Sequence, residues 1–201
     1  MHLSNCKAVF LDRDGTINEE VGYLGNLNNL SFIERAAEGI GIINRLGYKA
    51  IVVTNQSGIA RGFFKEAFVH MLHAEMKKRL LKKNAFIDQW YYCPHHPTKG
   101  INEYKKICAC RKPAPGMIKA AAEEYQIDVS GSFVIGDSIR DVGLAINAGA
   151  RPILLKTGFG QETLSLLDKA QRNALYYVAE DLMDACVWIS ENYPLSEKKD
   201  D

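Results

Sequence analysis

A short apolar run near the start of the chain ends abruptly in two aspartates. The sequence VFLDRDGT occupies residues 9–16. A brief apolar run bounded by a turn signal is typical of a buried strand, and the alternation of side chains along a strand directs Asp12 and Asp14 the same way. Ligands bind at the carboxyl ends of strands in open α/β sheets, and Mg²⁺ is a hard cation that would relieve the repulsion between the two carboxylates. Because D-x-D alone is a weak signal, a strand leading into an acidic turn explains it equally well.

The composition is that of an ordinary globular protein. The 201 residues suit one domain, which we predict over residues 1–201. A hydrophobic content of 47% and a formal net charge of +1 give no reason to expect a nucleic-acid or membrane partner. With no signal-peptide pattern and no apolar run that could span a bilayer, we expect a cytoplasmic protein. Since the sequence shows no exposed amphipathic stretch, we also expect a monomer.

Strand and helix patterns alternate along the chain. Strands are predicted at 9–11, 49–53, 87–92, 132–135, 152–155 and 176–178, and helices at 34–46, 65–83, 115–125, 140–148, 162–170 and 181–191. This alternation predicts an α/β fold of Rossmann-like type, with a mostly parallel sheet covered by helices on both faces.

Polar side chains follow several of these strands. Thr54 and Asn55 end the second strand, Asp137 follows the fourth, and Asp141 opens the next helix, while Lys112 lies in the loop before the helix at 115. In a parallel sheet these groups converge with the aspartates of the first strand. Carboxylates, a hydroxyl and an ammonium group are what phosphoryl transfer needs, because its catalysis is mostly positioning and charge neutralisation. A helix-dipole role explains Asp141 equally well.

The motifs DRDGT, TN, Lys and GD with a downstream Asp occur in this order over residues 9–141, and this order resembles the haloacid dehalogenase (HAD) superfamily. The resemblance implies that Asp12 is the nucleophile and Asp14 the general acid and base. It implies that Thr54 and Lys112 stabilise the phosphoryl group. Three oxygen donors are implied for Mg²⁺: Asp12, the backbone carbonyl of Asp14, and Asp137. An acid two residues after the nucleophile indicates a phosphatase, since a dehalogenase protonates no leaving group.

Further segments narrow the resemblance to the histidinol-phosphatase-type branch: TNQSGIARG at 54–62, YCPHHP at 92–97 and CACRKPAPGM at 108–117. The resemblance implies removal of the 7-phosphate from D-glycero-D-manno-heptose 1,7-bisphosphate, on the route to lipopolysaccharide core heptose. Histidinol phosphate is the alternative substrate. The implied substrate contacts are Glu20, Val21, Gly22, Tyr23, Thr54, Asn55, Gln56, Ser57, Arg111 and Lys112. Arg61 and Lys65 are weaker candidates, expected on a solvated helix face.

The chain carries no large cap-domain insertion, so short loops must select the substrate. One such loop, at about 93–110, holds three cysteines and two histidines. Cys₃His is a closed ligand set for structural Zn²⁺, and the predicted ligands are Cys93, His95, Cys108 and Cys110. His96 is the competing imidazole, and reduced thiols without metal are the alternative, as is a non-catalytic zinc-stabilised binding module. The other histidines, His2, His70 and His73, we expect at the surface.

Overall fold

The computed structural model describes residues 6–195 and confirms the α/β fold. Its strands are β1 Ala8–Leu11, β2 Lys49–Asn55, β3 Gln89–Cys93, β4 Phe133–Gly136, β5 Arg151–Leu155 and β6 Tyr177–Ala179. They form one sheet in the order β3-β2-β1-β4-β5-β6, in which every neighbouring pair is parallel. The order reverses between β1 and β4, where ligands bind in doubly wound sheets. The prediction of one domain over 1–201 stays a prediction, and His2 lies outside the described residues.

The helices are α1 Ala36–Arg45, α2 Glu66–Leu81, α3 Gly116–Tyr125, α4 Ile139–Ala148, α5 Gly160–Leu166, α6 Lys169–Ala174 and α7 Leu182–Asn192. The single helix predicted at 162–170 is wrong, because the chain forms two short helices there. Asp168 causes the break: its carboxylate accepts from the backbone N–H of Gln171 at 2.8 Å, and the Gln171 side chain accepts from Asp168 N at 3.1 Å. This capping box starts α6.

Both faces of the sheet are buried, as expected of parallel strands. Val9 and Leu11 of β1 face a core layer formed with α1, α2 and α7. Ala8 and Phe10 face the opposite layer, which α3 and α4 cover. The strand ends are thereby fixed on a rigid base. None of the helices within residues 6–195 combines the length and apolar character needed to cross a bilayer.

Candidate active site

Polar side chains converge where β1, β2 and β4 end. Asp12 follows β1, and its backbone N–H continues the sheet by donating to Ile135 O at 2.9 Å. Thr54 is the second-to-last residue of β2, and Asp137 follows β4 directly. Since all of these strands are parallel, their functional side chains reach one edge of the sheet beside the point where the strand order reverses.

Three carboxylates form a tight cluster at this edge. Oxygens of Asp12, Asp137 and Asp141 all lie within 4.8 Å of one another. Burial, together with the charges of Asp12 and Asp141, raises the pKa of Asp137 to about 8. Burial also raises the pKa of Asp12 to about 6, although Lys112 opposes this shift. Such crowding costs free energy that a divalent cation with oxygen ligands would recover.

Two glycines make room for the Asp137 carboxylate. A Cβ built on Gly15 or on Gly158 would lie 2.1 or 2.0 Å from Asp137 Oδ2, and both glycines have positive φ, of +75° and +52°. The backbone N–H of Phe159 donates to the same oxygen at 2.8 Å. An all-oxygen donor set held in a backbone cradle suits Mg²⁺. Sequence reasoning missed Phe159, because its contribution is a backbone group that no side chain signals.

Lys112 lies beside the cluster with a side chain that is 1% exposed. Its Nζ is 2.8 Å from Asp12 Oδ1 and 2.6 Å from Asp141 Oδ1. Burial would lower the pKa of Lys112, but these two carboxylates raise it above its ordinary value. The Asn55 side-chain amide makes two hydrogen bonds to the Lys112 backbone. Its oxygen accepts from Lys112 N at 3.0 Å, and its nitrogen donates to Lys112 O at 3.2 Å. Asn55 therefore supports Lys112, although the sequence suggested a substrate contact.

Asp14 lies in a separate network of donors. Arg13 Nη2 is 2.8 Å from Asp14 Oδ2, and Asn18 and Gln56 donate to the carboxylate at 2.9 and 3.0 Å. Burial alone would raise the pKa of Asp14, but the Arg13 charge and these hydrogen bonds hold it below its ordinary value. Gln56 also donates to Thr54 Oγ1 at 2.9 Å. The Asp14 carboxylate is therefore ionised and fixed in direction.

A cleft of about 380 Å³ opens over these groups. The predicted substrate residues that line it are Glu20, Gly22, Tyr23, Thr54, Asn55, Gln56, Ser57, Arg111 and Lys112. Val21 is 48% exposed and does not line the cleft, so its side chain does not support the expected contact.

Several cations surround the mouth of the cleft. Arg61 lines it, so the expectation of a solvated helix face is wrong for this residue, whereas Lys65 is exposed. The Arg61 guanidinium lies 5.7 Å from the centre of the Tyr23 ring. Arg111 also lines the cleft, and its Nη1 donates to a backbone carbonyl of the cysteine loop at 3.0 Å. Arg140, in the first turn of α4, was missed, because nothing in its sequence context distinguishes it from a surface arginine.

The cysteine loop brings four metal-ligating side chains together: Cys93, His95, Cys108 and Cys110. Their three S···S distances are 3.2, 3.4 and 3.5 Å, and His95 Nδ1 lies 3.4 and 3.7 Å from two of the sulfurs. Ordinary Zn–S and Zn–N bonds in a tetrahedron give edges of about 3.8 and 3.6 Å. His96 is engaged elsewhere, since its Nδ1 accepts from the backbone of Thr98 and Lys99. The donor set and spacing fit a closed Zn²⁺ site.

One histidine differs from expectation. His73 is only 7% exposed, so its predicted surface position is wrong. It lies on the inward side of α2, and its ring stacks on Trp90. The error has a physical cause: the long basic helix masks a weak apolar pattern, and a histidine can occupy a core position when its ring nitrogen finds a partner. His70, by contrast, is exposed.

Comparison with known proteins extends these observations. A HAD-hydrolase-like family model matches residues 109–185. D-glycero-beta-D-manno-heptose-1,7-bisphosphate 7-phosphatase from Escherichia coli K12 is 41% identical over 153 residues, which cover 75% of this chain and 80% of the relative. The enzyme of the same name from Photorhabdus laumondii is 44% identical over 152 residues, covering 75% and 81%.

A solved structure agrees with these relatives. The crystal structure of D,D-heptose 1,7-bisphosphate phosphatase from B. bronchiseptica, complexed with magnesium and phosphate, superimposes with a TM-score of 0.82. It is 32% identical, and the match covers 92% of this chain and 98% of that one. The predicted resemblance is confirmed: this chain belongs to the HAD hydrolases, in the family whose curated members are named D-glycero-beta-D-manno-heptose-1,7-bisphosphate 7-phosphatases.

Proposed function

We propose that this protein is a Mg²⁺-dependent phosphatase that removes the 7-phosphate of D-glycero-D-manno-heptose 1,7-bisphosphate. The observation that carries the proposal is the meeting of Asp12, Asp137 and Lys112 at one sheet edge, with Asp14 beside them. The relatives named above support the choice of substrate. We also propose that the protein is a cytoplasmic monomer, which cell fractionation and size-exclusion chromatography would test.

Asp12 is the proposed nucleophile. Its Oδ1 accepts from Lys112 Nζ at 2.8 Å and from Arg13 N at 2.7 Å, which fixes the carboxylate at the end of β1. Attack on the 7-phosphorus forms an aspartyl phosphate and breaks the bond to the sugar oxygen. Because Gln56 donates to Thr54 Oγ1, the Thr54 O–H is left to donate to a phosphoryl oxygen. Lys112 supplies a second contact, and a positively charged one, for the developing charge.

Asp14 is the proposed acid and base. Its pKa lies below the ordinary value in the free site, so it is ionised at rest. The approach of an anionic phosphate raises this pKa, because like charges disfavour ionisation, so Asp14 takes up a proton from solvent as the substrate binds. Asp14 then gives its proton to the departing sugar oxygen and later takes one from the water that hydrolyses the aspartyl phosphate.

The proposed Mg²⁺ ligands are the carboxylates of Asp12 and Asp137 and the backbone carbonyl of Asp14. When bound, Mg²⁺ neutralises the charge of the phosphoryl oxygens. Asp141 is held away from this role by its contacts, since its Oδ1 is 2.6 Å from Lys112 Nζ and its Oδ2 accepts from Ser138 N at 3.1 Å. Asp141 thus positions Lys112 at the site.

We further propose that the cluster of Cys93, His95, Cys108 and Cys110 binds structural Zn²⁺. The metal would order the loop that carries Arg111 and would take no part in the reaction. Cys108→Ser should lose about one equivalent of zinc, measured by atomic emission, together with activity. Cys6→Ser is the matched control, because this thiol lies outside the cluster. Full activity of a zinc-free Cys108→Ser protein would contradict this role.

The test of function is phosphate release from both anomers of the heptose bisphosphate and from histidinol phosphate, compared by kcat/KM. We expect Mg²⁺-dependent turnover with the heptose bisphosphate as the best substrate, and its loss in Asp12→Asn and Asp14→Asn. A higher kcat/KM for histidinol phosphate would select the alternative substrate. Turnover by no substrate, with metal still bound, would favour the non-catalytic binding module.

A further inference from the structure

One buried imidazole has no role in the chemistry proposed above. His73 lies on α2, and its ring stacks on Trp90 with centroids 4.6 Å apart and planes at 29°. Tyr92 packs against it at 6.1 Å in an edge-to-face arrangement. Its Nε2 lies 3.3 Å from Arg13 Nη1. A polar ring buried among aromatics costs free energy unless it is hydrogen-bonded. The contact with Arg13 is therefore the interaction from which a role for His73 can be inferred.

Arg13 is fully buried, and each of its guanidinium nitrogens has a partner. Nε and Nη2 donate to Asp14 at 3.2 and 2.8 Å, and Nη2 also contacts Gln56 Oε1 at 3.1 Å. The remaining nitrogen, Nη1, points at His73. Because the guanidinium is planar and rigid, holding its far corner fixes the angle at which the other two nitrogens meet the Asp14 carboxylate.

The donor and the acceptor of the hydrogen bond between His73 and Arg13 follow from the groups involved. Arg13 has only donors, so His73 Nε2 must accept, and the imidazole proton lies on Nδ1. Burial, followed by the nearby Arg13 charge, lowers the pKa of His73 to about 3. The ring is therefore neutral at physiological pH and remains an acceptor for Arg13.

We infer that His73 is a positioning residue that acts through Arg13 to aim the Asp14 carboxylate at the leaving sugar oxygen. The inference rests on the proposed function of Asp14. As the P–O bond to the sugar breaks, its electron pair stays on the oxygen, and the Asp14 proton is transferred there. A misdirected Asp14 would slow this transfer without weakening the binding of the substrate.

The experiment compares two leaving groups. His73→Phe keeps the stacked ring but removes the acceptor from Arg13. We expect kcat/KM for the heptose bisphosphate to fall about tenfold, the effect of losing one hydrogen bond to a charged group, with KM little changed. The loss should be much smaller for p-nitrophenyl phosphate, whose phenolate departs without a proton. His73→Gln, whose Oε1 reaches as far as Nε2, should restore most of the activity.

Two controls separate positioning from general damage. Leu80→Val shortens another buried side chain of α2 and should leave both kcat/KM values unchanged. In an Arg13→Gln background, His73→Phe should cause no further loss, because the path through Arg13 is already broken. If His73→Phe does not fold, His73→Asn replaces it, since its shorter amide does not reach Arg13.

The outcomes are distinct. Equal losses on both substrates, an additive loss in the Arg13→Gln background, or no rescue by His73→Gln would each overturn the inference. The proposed role of Asp14 has its own test: the kcat/KM of Asp14→Asn, which reports the first phosphoryl transfer and not the later hydrolysis of the aspartyl phosphate, should fall far more for the heptose bisphosphate than for p-nitrophenyl phosphate. Equal losses in that variant would refute the acid role of Asp14 itself, whatever His73 does.

Discussion

The support of Lys112 by Asn55 can be tested with an unusually close control. Asn55→Ala removes both hydrogen bonds to the Lys112 backbone, of 3.0 and 3.2 Å. Asn44 binds the backbone of Phe86 in the same two-bond manner, at 2.9 and 3.0 Å, but on the α1 side of the molecule away from the cleft. Each variant deletes one pair of side-chain-to-backbone hydrogen bonds, beside the cleft for Asn55 and away from it for Asn44.

The expected magnitude follows from the two lost bonds. Each contributes about 0.5–1.5 kcal/mol to stability, so Asn55→Ala and Asn44→Ala should each lower the free energy of unfolding by about 1–3 kcal/mol. Only Asn55→Ala should lower kcat, by about tenfold, because about 1.4 kcal/mol of positioning energy at Lys112 corresponds to one factor of ten. Urea denaturation and steady-state phosphate release measure the two quantities.

The comparison has clear adverse outcomes. Equal kcat values for Asn55→Ala and Asn44→Ala would show that Lys112 needs no help from Asn55. A rise in KM with an unchanged kcat would instead indicate the direct substrate contact that the sequence suggested for Asn55. Either result would refute the positioning argument.

Two further predictions concern the metal cradle. Gly158→Ala should raise the Kd for Mg²⁺ at least tenfold, as measured by titration calorimetry. The added Cβ would lie only 2.0 Å from Asp137 Oδ2, and metal sites tolerate ligand shifts of only about 0.2 Å. Gly149→Ala is the control: it also has a positive φ, of +77°, but open space around the added Cβ, so it should keep wild-type affinity. Without Mg²⁺, the free energy of unfolding should fall by about 1.4 kcal/mol per pH unit between pH 6 and 8, since folded Asp137 keeps a proton up to about pH 8 that the unfolded chain, with a pKa near 3.8, has already released. Saturating Mg²⁺ should abolish this slope, and a flat denaturation profile without metal would contradict the prediction.

The fold was accessible from sequence because its strands are short, apolar and separated by clear helical patterns. The strand predicted at 49–53 extends in the structure to Asn55, and the helix predicted at 140–148 begins one residue earlier. The one wrong element, at 162–170, depends on a capping box at Asp168, which is a local competition between side chain and backbone that periodicity does not detect. The spacing of apolar residues predicts which face of a helix is buried more reliably than it predicts the residue at which the helix ends.

The site residues also separate into those that the sequence predicts and those that it does not. Asp12, Asp14 and Asp137 stand at strand ends, so a parallel sheet brings them together whatever else the chain does. Three groups escaped prediction: the backbone N–H of Phe159, the His73 ring that contacts Arg13, and the Arg140 side chain at the cleft. Such contacts depend on how helices and loops pack, and a sequence pattern carries little information about that.

Arg111 and Lys112 are adjacent in the chain, but different parts of the structure hold their positions. Lys112 is bound to the end of β2 through Asn55, so its position depends on the sheet. Arg111 Nη1 donates to the backbone carbonyl of His95, a proposed zinc ligand, so its position depends on the cysteine loop. Loss of zinc should therefore displace Arg111 more than Lys112. Lys112 is the proposed contact of the reacting phosphoryl group, whereas Arg111 lines the cleft wall. Cys108→Ser should therefore raise KM more than it lowers kcat.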